Sequence, residues 1–374
     1  MQTAVAETLG VEFPILAFSH CRDVVAAVSR AGGFGVLGAT AFGPEQLEVE
    51  LAWIDDNVNG MPYGVDVLFP AKYVGDASSG VDPKGLRDLI PDEHKQFLDE
   101  LLVRYGVPEL PPDSKVPGDL MTVEHKRVEL LMEIALAHPI RLIANALGPP
   151  PPEMIEAGHA KGVPVAALAG TREHAERNVQ VGADIIVAQG YEAGGHTGEI
   201  ATMVLVPEVV DAVSPVPVLA AGGIANGRQM AAAMALGAQG VWTGSVWLTT
   251  EEAETSPVVK KKFLAASSRD TVRSRSITGK PARQLRSAWT DEWDGPDSPG
   301  PLPMPLQPML TAGARVRIER GANVPGSGAE QLANYFVGQV VGSLDREKPA
   351  ARVLLEMVEE YADTIERLGA LVET

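Results

Sequence analysis

The chain has 374 residues, 45% of them hydrophobic, enough for one large α/β domain with insertions or for two domains. Its formal net charge of -18 makes a strongly acidic surface, which repels nucleic-acid phosphates and anionic lipid and argues against both as partners. Cys21 is the only cysteine, so no internal disulfide framework and no cysteine-based metal centre is expected, and with no signal pattern or membrane-length apolar run a cytoplasmic protein is expected.

Residues 13–18 form a short apolar run opened by Pro14 and predict a strand, while 23–31 have helical spacing with valines and alanines on one face. A glycine turn and second strand follow over 32–39, then a helix over 44–57 with Glu45 and Glu48 in its first turn, then a third strand over 63–69. Gly33, Gly35 and Gly38 spell G-x-G-x-x-G, but a helix precedes them and Val36 and Leu37 belong to the apolar run itself. The strand–turn–helix context of a dinucleotide fingerprint is missing. Residues 71–139 interrupt the alternation with two helical patterns, 93–105 and 120–138, joined by a proline-rich connection over 108–117. An insertion at a strand's carboxyl end either caps a site there or decorates the surface.

The alternation resumes with strand 140–147, helix 153–161, strand 163–169, helix 172–181 and a strand from Asp184. Helix 207–213, strand 216–221, helix 228–236 behind the N-cap Asn226, and strand 240–243 complete it. Eight strand signals with helices between them predict an α/β protein, a (β/α)8 TIM barrel with a helical insertion after the third strand and a C-terminal helical extension. The expected division gives 1–70 and 140–250 to the barrel, 71–139 to the insertion and 251–374 to the extension. Within the extension 295–308 reads as irregular, and 331–344 and 350–368 as helices that close over the barrel or join a partner subunit, which leaves a homo-oligomer open.

The sixth strand runs into a loop carrying Gly190, Gly194, Gly195 and Gly198, with His196 among them, and this glycine-rich half is not expected to be strand. Such a loop at the carboxyl end of a buried strand is where α/β enzymes place chemistry. Gly222 and Gly223 after the seventh strand, and Gly244 and Ser245 after the eighth, present bare amides beside a helix N-terminus, an anion cradle at the usual phosphate position of such barrels. The seven histidines show no i,i+4 pair and no cysteine partner, so no metal site is expected.

Together with Pro14-Ile15-Leu16-Ala17, Ala31-Gly32-Gly33-Phe34-Gly35, Ala221-Gly222-Gly223-Ile224 and Thr243-Gly244-Ser245, the run from Gln189 to Gly198 resembles the nitronate monooxygenase family, formerly called 2-nitropropane dioxygenases. Thr278-Gly279-Lys280-Pro281-Ala282-Arg283 and Gly338-Gln339-Val340-Val341-Gly342 extend the resemblance, whose most specific element is Glu192-Ala193-Gly194-Gly195-His196. It covers the barrel well and the insertion hardly at all. The resemblance implies an FMN-dependent oxidoreductase, a flavoprotein that oxidises alkyl nitronates or propionate-3-nitronate with molecular oxygen. It implies that Gly223, Gly244 and Ser245 hold the FMN phosphate with Gly222 shaping the turn, and that Gln189, Gly194 and Gly195 lie against the flavin and its ribityl chain. Backbone at Ala17 and Phe18 would touch the ring, and His196 would be catalytic, holding a nitronate oxygen or taking a proton from a nitroalkane.

Two positions depart from the family pattern. The first strand ends Ala17-Phe18-Ser19 where Ala-Pro-Met is common, and Asp66 stands where an asparagine commonly serves the flavin. An ionised Asp66 donates no hydrogen bond and repels an anion; accepting from a ring N–H or pairing with Lys72 are its alternatives. These departures leave room for an NAD(P)H-dependent FMN reductase of quinones or enoyl thioesters on the same barrel, and a non-flavin phosphate-binding barrel is a further rival.

Overall fold

The computed structural model describes residues 1–69, 83–111 and 125–372. Eight short parallel strands close into a barrel in chain order: Ile15–Ser19, Phe34–Gly38, Tyr63–Asp66, Leu142–Asn145, Val165–Ala169, Ile185–Gln189, Val218–Ala221 and Gly240–Thr243, the last pairing back onto the first. Nearly every strand residue is buried, because one face meets the barrel interior and the other the outer helices. Their sequences are therefore continuous apolar runs and not alternations.

Leu16, Phe34, Val36, Leu142, Val187 and Leu219 fill the interior in one cluster. A helix absent from the sequence reading, Ala4–Leu9, adds Val5 and Leu9 to that cluster, and the Ala4 amide donates to Gln239 Oε1 just ahead of the eighth strand. It plugs the amino end of the barrel. The carboxyl ends remain as the mouth.

The outer helices follow their expected places, except that the one read at 207–213 begins at Thr202 and holds Pro207 inside it, Thr202–Val213. Gly35 lies within the second strand, where a Cβ would run into Val25 of the helix Arg22–Arg30, so this glycine serves close packing of helix on strand and not phosphate binding. In the insertion, Asp92–Arg104 and His125–Ala137 are helical, whereas Lys72, residues 120–124 and the later part of the 108–117 connection lie outside the described residues. Val128, Leu131 and Met132 share a core with Leu47, Leu51 and Ile54, so His125–Ala137 takes the place of the barrel's third outer helix. Asp92–Arg104 leans instead on the C-terminal extension: Phe97 meets Trp293 edge-on at 4.9 Å, and Arg104 and Tyr105 both reach Glu292.

The structure corrects two readings. The sequence predicts one helix over 331–344, but a single turn, Ala329–Leu332, gives way to extended chain that bridges Gln284 at Phe336, and a tight 3-10 segment covers Gln339–Ser343. The glycine-rich half of the loop after the sixth strand is not free of strand either. Gly195–His196 pairs antiparallel with Arg283 and Ala282, completing a three-stranded sheet with Thr271–Ser274 and Ala282–Leu285. The final helix is present as Ala350–Gly369, and no helix of the described residues is long and apolar enough to cross a membrane.

Candidate active site

A cavity of about 680 Å³ opens at the barrel mouth. Of the residues singled out in the sequence, Phe18, Asp66, Gln189, Gly194, Gly195, Gly222, Gly223, Gly244 and Ser245 line it. Ala17 does not; it is fully buried in the first strand, paired with Gly35 and Thr243. His196 is not on the wall itself, but it follows Gly195 and its ring lies 6.4 Å from that of Phe336, both of which are.

The cradle is built from backbone. Gly222 and Gly223 have φ of +89° and +74°, a region that favours glycine, and a Cβ at Gly222 would stand 3.0 Å from the Gly190 carbonyl. Among the described residues the amides of Gly222, Gly223 and Gly244 donate to no protein acceptor, which leaves them for an anion. The helix N-terminus read as their helper is otherwise engaged: Asn226 Oδ1 accepts from Gln229, Gln229 Oε1 from Ala225, and Glu360 Oε2 from Gly227. The loop amides stand without it.

The loop bearing His196 is held from outside the barrel. Arg283 donates from Nε and Nη2 to the Tyr191 carbonyl at 3.1 and 3.0 Å, with its guanidinium 4.4 Å over the Tyr191 ring. The Gly338 amide donates to Ser245 Oγ at 2.8 Å, and a Cβ on Gly194 would strike the same Gly338 nitrogen at 2.8 Å. The two motifs of the C-terminal resemblance thus seal the site from the side of the extension.

His196 Nε2 lies 2.8 Å from Thr278 Oγ1. The Thr278 hydroxyl donates to the Lys280 carbonyl at 3.1 Å, so its oxygen accepts the Nε2 proton and Nδ1 is left unprotonated. Burial, and secondarily the charge of Lys280, push the imidazole pKa down to about 4. At neutral pH it is uncharged. Asp66 moves the opposite way: burial pushes its carboxyl up to about 7, partly opposed by the Ala146 amide, and its Oδ1 is buried without a hydrogen-bond partner.

Among the wall residues that sequence reasoning missed are His20, Trp242, Arg315 and Tyr335. His20 directly follows the first strand, a position that could have flagged it; its Nδ1 donates to the Gly38 carbonyl at 2.9 Å, and burial keeps the ring neutral. Arg315 lies on the helix Leu306–Gly321, which the sequence reading did not find, and Tyr335 in extended chain that it took for helix, so nothing in the sequence aimed either at the site. One group of metal-capable side chains among the described residues, Cys21, Asp23 and Glu254, brings its ligand atoms within 4.8 Å of one another. It contains no histidine, and burial raises the Cys21 thiol pKa.

A family model described as nitronate monooxygenase matches residues 4–360. A protein of Mycobacterium tuberculosis named "Putative monooxygenase Rv1533" is 64% identical, with 100% of each chain covered. Among solved structures, nitroalkane oxidase from Streptomyces ansochromogenes is similar with a TM-score of 0.79 at 26% identity, covering 98% of this chain and 100% of that one. FabK from Thermotoga maritima is similar with a TM-score of 0.72 at 28% identity, over 99% of both chains. The barrel, the loop between its sixth and seventh strands and the match along nearly the whole sequence agree: the chain belongs to the nitronate monooxygenase family and is a flavin-dependent oxidoreductase.

Proposed function

We propose that this protein holds FMN at the barrel mouth and oxidises nitronates, either alkyl nitronates or propionate-3-nitronate, with molecular oxygen. The observation that carries the reading is one cavity that collects unpaired backbone donors at Gly222, Gly223 and Gly244 together with the orphaned Oδ1 of Asp66. The residues present fit a flavin mononucleotide. The volume is in the range of about 300–1,000 Å³ usual for cofactor sites, the free amides suit a phosphate, and a Cβ at Gly195 or Gly244 would meet nothing, so space is open there. Gly222, Gly223, Gly244 and Ser245 would take the phosphate, and Phe18, Gln189, Gly194 and Gly195 would lie along the ribityl chain and ring. Asp66, protonated below about pH 7, becomes the donor that the family's asparagine supplies.

When bound, the flavin supplies electron transfer and oxygen chemistry. The chain's own residues supply geometry and proton handling. His196, uncharged and with Nδ1 free, accepts a proton from a carbon acid; with Thr278 turned to donate to Nε2, the ring instead offers Nδ1–H to a nitronate oxygen. Arg283 and Gly338 keep that loop in register at the mouth. A second reading, an NAD(P)H-dependent FMN reductase of quinones or enoyl thioesters, is favoured by Asp66, which when ionised repels an anionic nitronate.

One experiment separates the two: anaerobic reduction of the purified, flavin-loaded protein, followed by loss of flavin absorbance. Fast bleaching by ethylnitronate or propionate-3-nitronate with none by NADH or NADPH is expected. Fast bleaching by a nicotinamide alone would replace the first reading with the second.

A further inference from the structure

The cavity extends past its glycine-rich wall. From the C-terminal extension it is bordered by Val259, Ile277, Trp289, Ile318 and Leu332, all buried and apolar, and by Arg315 of the helix Leu306–Gly321. Arg315 is half-buried, and among the described residues no hydrogen bond or ion pair holds its guanidinium; burial pulls its pKa below the ordinary arginine value, opposed only at longer range by the Tyr335 and Glu319 groups. It nevertheless stays charged at any accessible pH. A cation half-withdrawn from water, with no contact partner among the described residues, is costly, and a protein of net charge -18 has no general need for it there.

We propose that Arg315 is the anion-recognition point of a second lobe of the cavity, which takes a substrate with an apolar stem several carbons long ending in a carboxylate. The proposal rests on the nitronate reading above and adds the substrate's remote end. The apolar wall fits the stem. Two tilted ring contacts mark its path: the Phe336 ring lies 6.4 Å from His196 and 5.6 Å from Tyr335, and Tyr335 shares the cavity wall with Arg315 within electrostatic reach of its guanidinium. A carboxylate held at one end therefore leaves the reacting carbon free at the other. Glu254 and Glu319 also border the cavity from exposed positions, and their charges disfavour an anion anywhere but against the guanidinium.

The test uses the purified protein with its flavin and three probes, octanoate, octan-1-ol and propionate, measured by calorimetric titration. Octanoate is expected to bind at least tenfold tighter than octan-1-ol or propionate. Arg315→Met is expected to lose at least tenfold in octanoate affinity with octan-1-ol unchanged, to keep its flavin, and to melt at the same or a higher temperature without ligand, because an uncompensated cation has gone. Arg315→Lys is expected to keep part of the octanoate preference. Equal binding of octanoate and octan-1-ol by the unaltered protein overturns the proposal. So does a methionine variant that binds octanoate normally, since the carboxylate then meets another group. A methionine variant that fails to fold or sheds its flavin also overturns it, since Arg315 is then a brace or the cofactor's own anion site. Absence of flavin from the unaltered protein would instead defeat the nitronate reading, and the octanoate comparison would remain legible.

Discussion

Asp66 and His196 sit at the same barrel mouth, and burial moves them in opposite directions because it disfavours whichever form is charged. Between about pH 4 and 7 both are neutral. For Asp66 the folded pKa of about 7 lies above the ordinary value of 3.8, so the unfolded chain ionises first: its stabilising contribution is complete below pH 3.8, drains away as pH rises, and is gone above about 7. For His196 the folded value of about 4 lies below the ordinary 6.5, so its contribution is present above 6.5 and lost as pH falls toward 4. Asp66→Asn is therefore expected to flatten the fall in unfolding free energy between pH 5 and pH 8, by an amount on the order of a few kcal/mol at most, as read by denaturant titrations at each pH. The same variant should erase a break near pH 7 in kcat/KM. A break that persists in Asp66→Asn would assign it to another group, and His196, titrating near pH 4, is not a candidate. His196→Asn is expected to retain stoichiometric flavin while turnover drops about 100-fold or more, the usual size of a lost proton-transfer group; turnover within a fewfold of normal would remove His196 from the chemistry.

At the scale of elements, the two glycine loops do their work through backbone shape. Gly223, at φ +74° on the cavity wall and with its amide unpaired among the described residues, should tolerate neither a side chain nor a negative charge. Gly223→Ala isolates the conformational cost, about 1–2 kcal/mol for a left-handed residue with a Cβ, and Gly223→Asp adds repulsion of the phosphate. In flavin-fluorescence titrations of the stripped protein the aspartate variant is expected to bind FMN at least tenfold more weakly than the alanine variant. Equal affinities would mean that the phosphate lies elsewhere. These loops and all eight strands were legible in the sequence because burial on both faces writes a continuous apolar run and a strand end demands glycine. The pairing of Gly195–His196 with Ala282 and Arg283 was not, since two residues carry no period and their partner lies over 80 positions away. Likewise Leu332, Phe336, Val340 and Leu344 recur every four residues and imitate a helix. The chain there is extended because it answers to Gln284 and to the Ser245 hydroxyl. Arg315 was illegible for a similar reason, since only the folded cavity shows that no described residue pairs with it.

Across the whole molecule, the C-terminal extension behaves as an outer layer of the barrel and not as a neighbour to it. The last helix, Ala350–Gly369, lies over Gly227–Ala235, where Glu360 accepts the Gly227 amide at 2.8 Å and pairs with Arg228 at 2.8 Å. On the same helix Leu354 and Met357 are buried in the cluster that also holds Ile15, Val24 and Val28, and Leu354 fills the space that a side chain at Gly33 would need. Segments 250 residues or more apart thus share one core. Leu354→Ala should cost about 2–5 kcal/mol, as buried leucine truncations do. If barrel and extension form one cooperative unit, that cost appears as a downward shift of a single unfolding transition, seen at the same midpoint by far-ultraviolet circular dichroism and by tryptophan fluorescence in a background where the barrel's Trp53, Trp242 and Trp247 are phenylalanine, so that only Trp289 and Trp293 of the extension report. Two transitions of which only the tryptophan-reported one moves would show instead that 251–374 unfolds on its own. The seal that Gly338 places over Ser245 would then be a contact between separate units, open to loss without loss of the barrel.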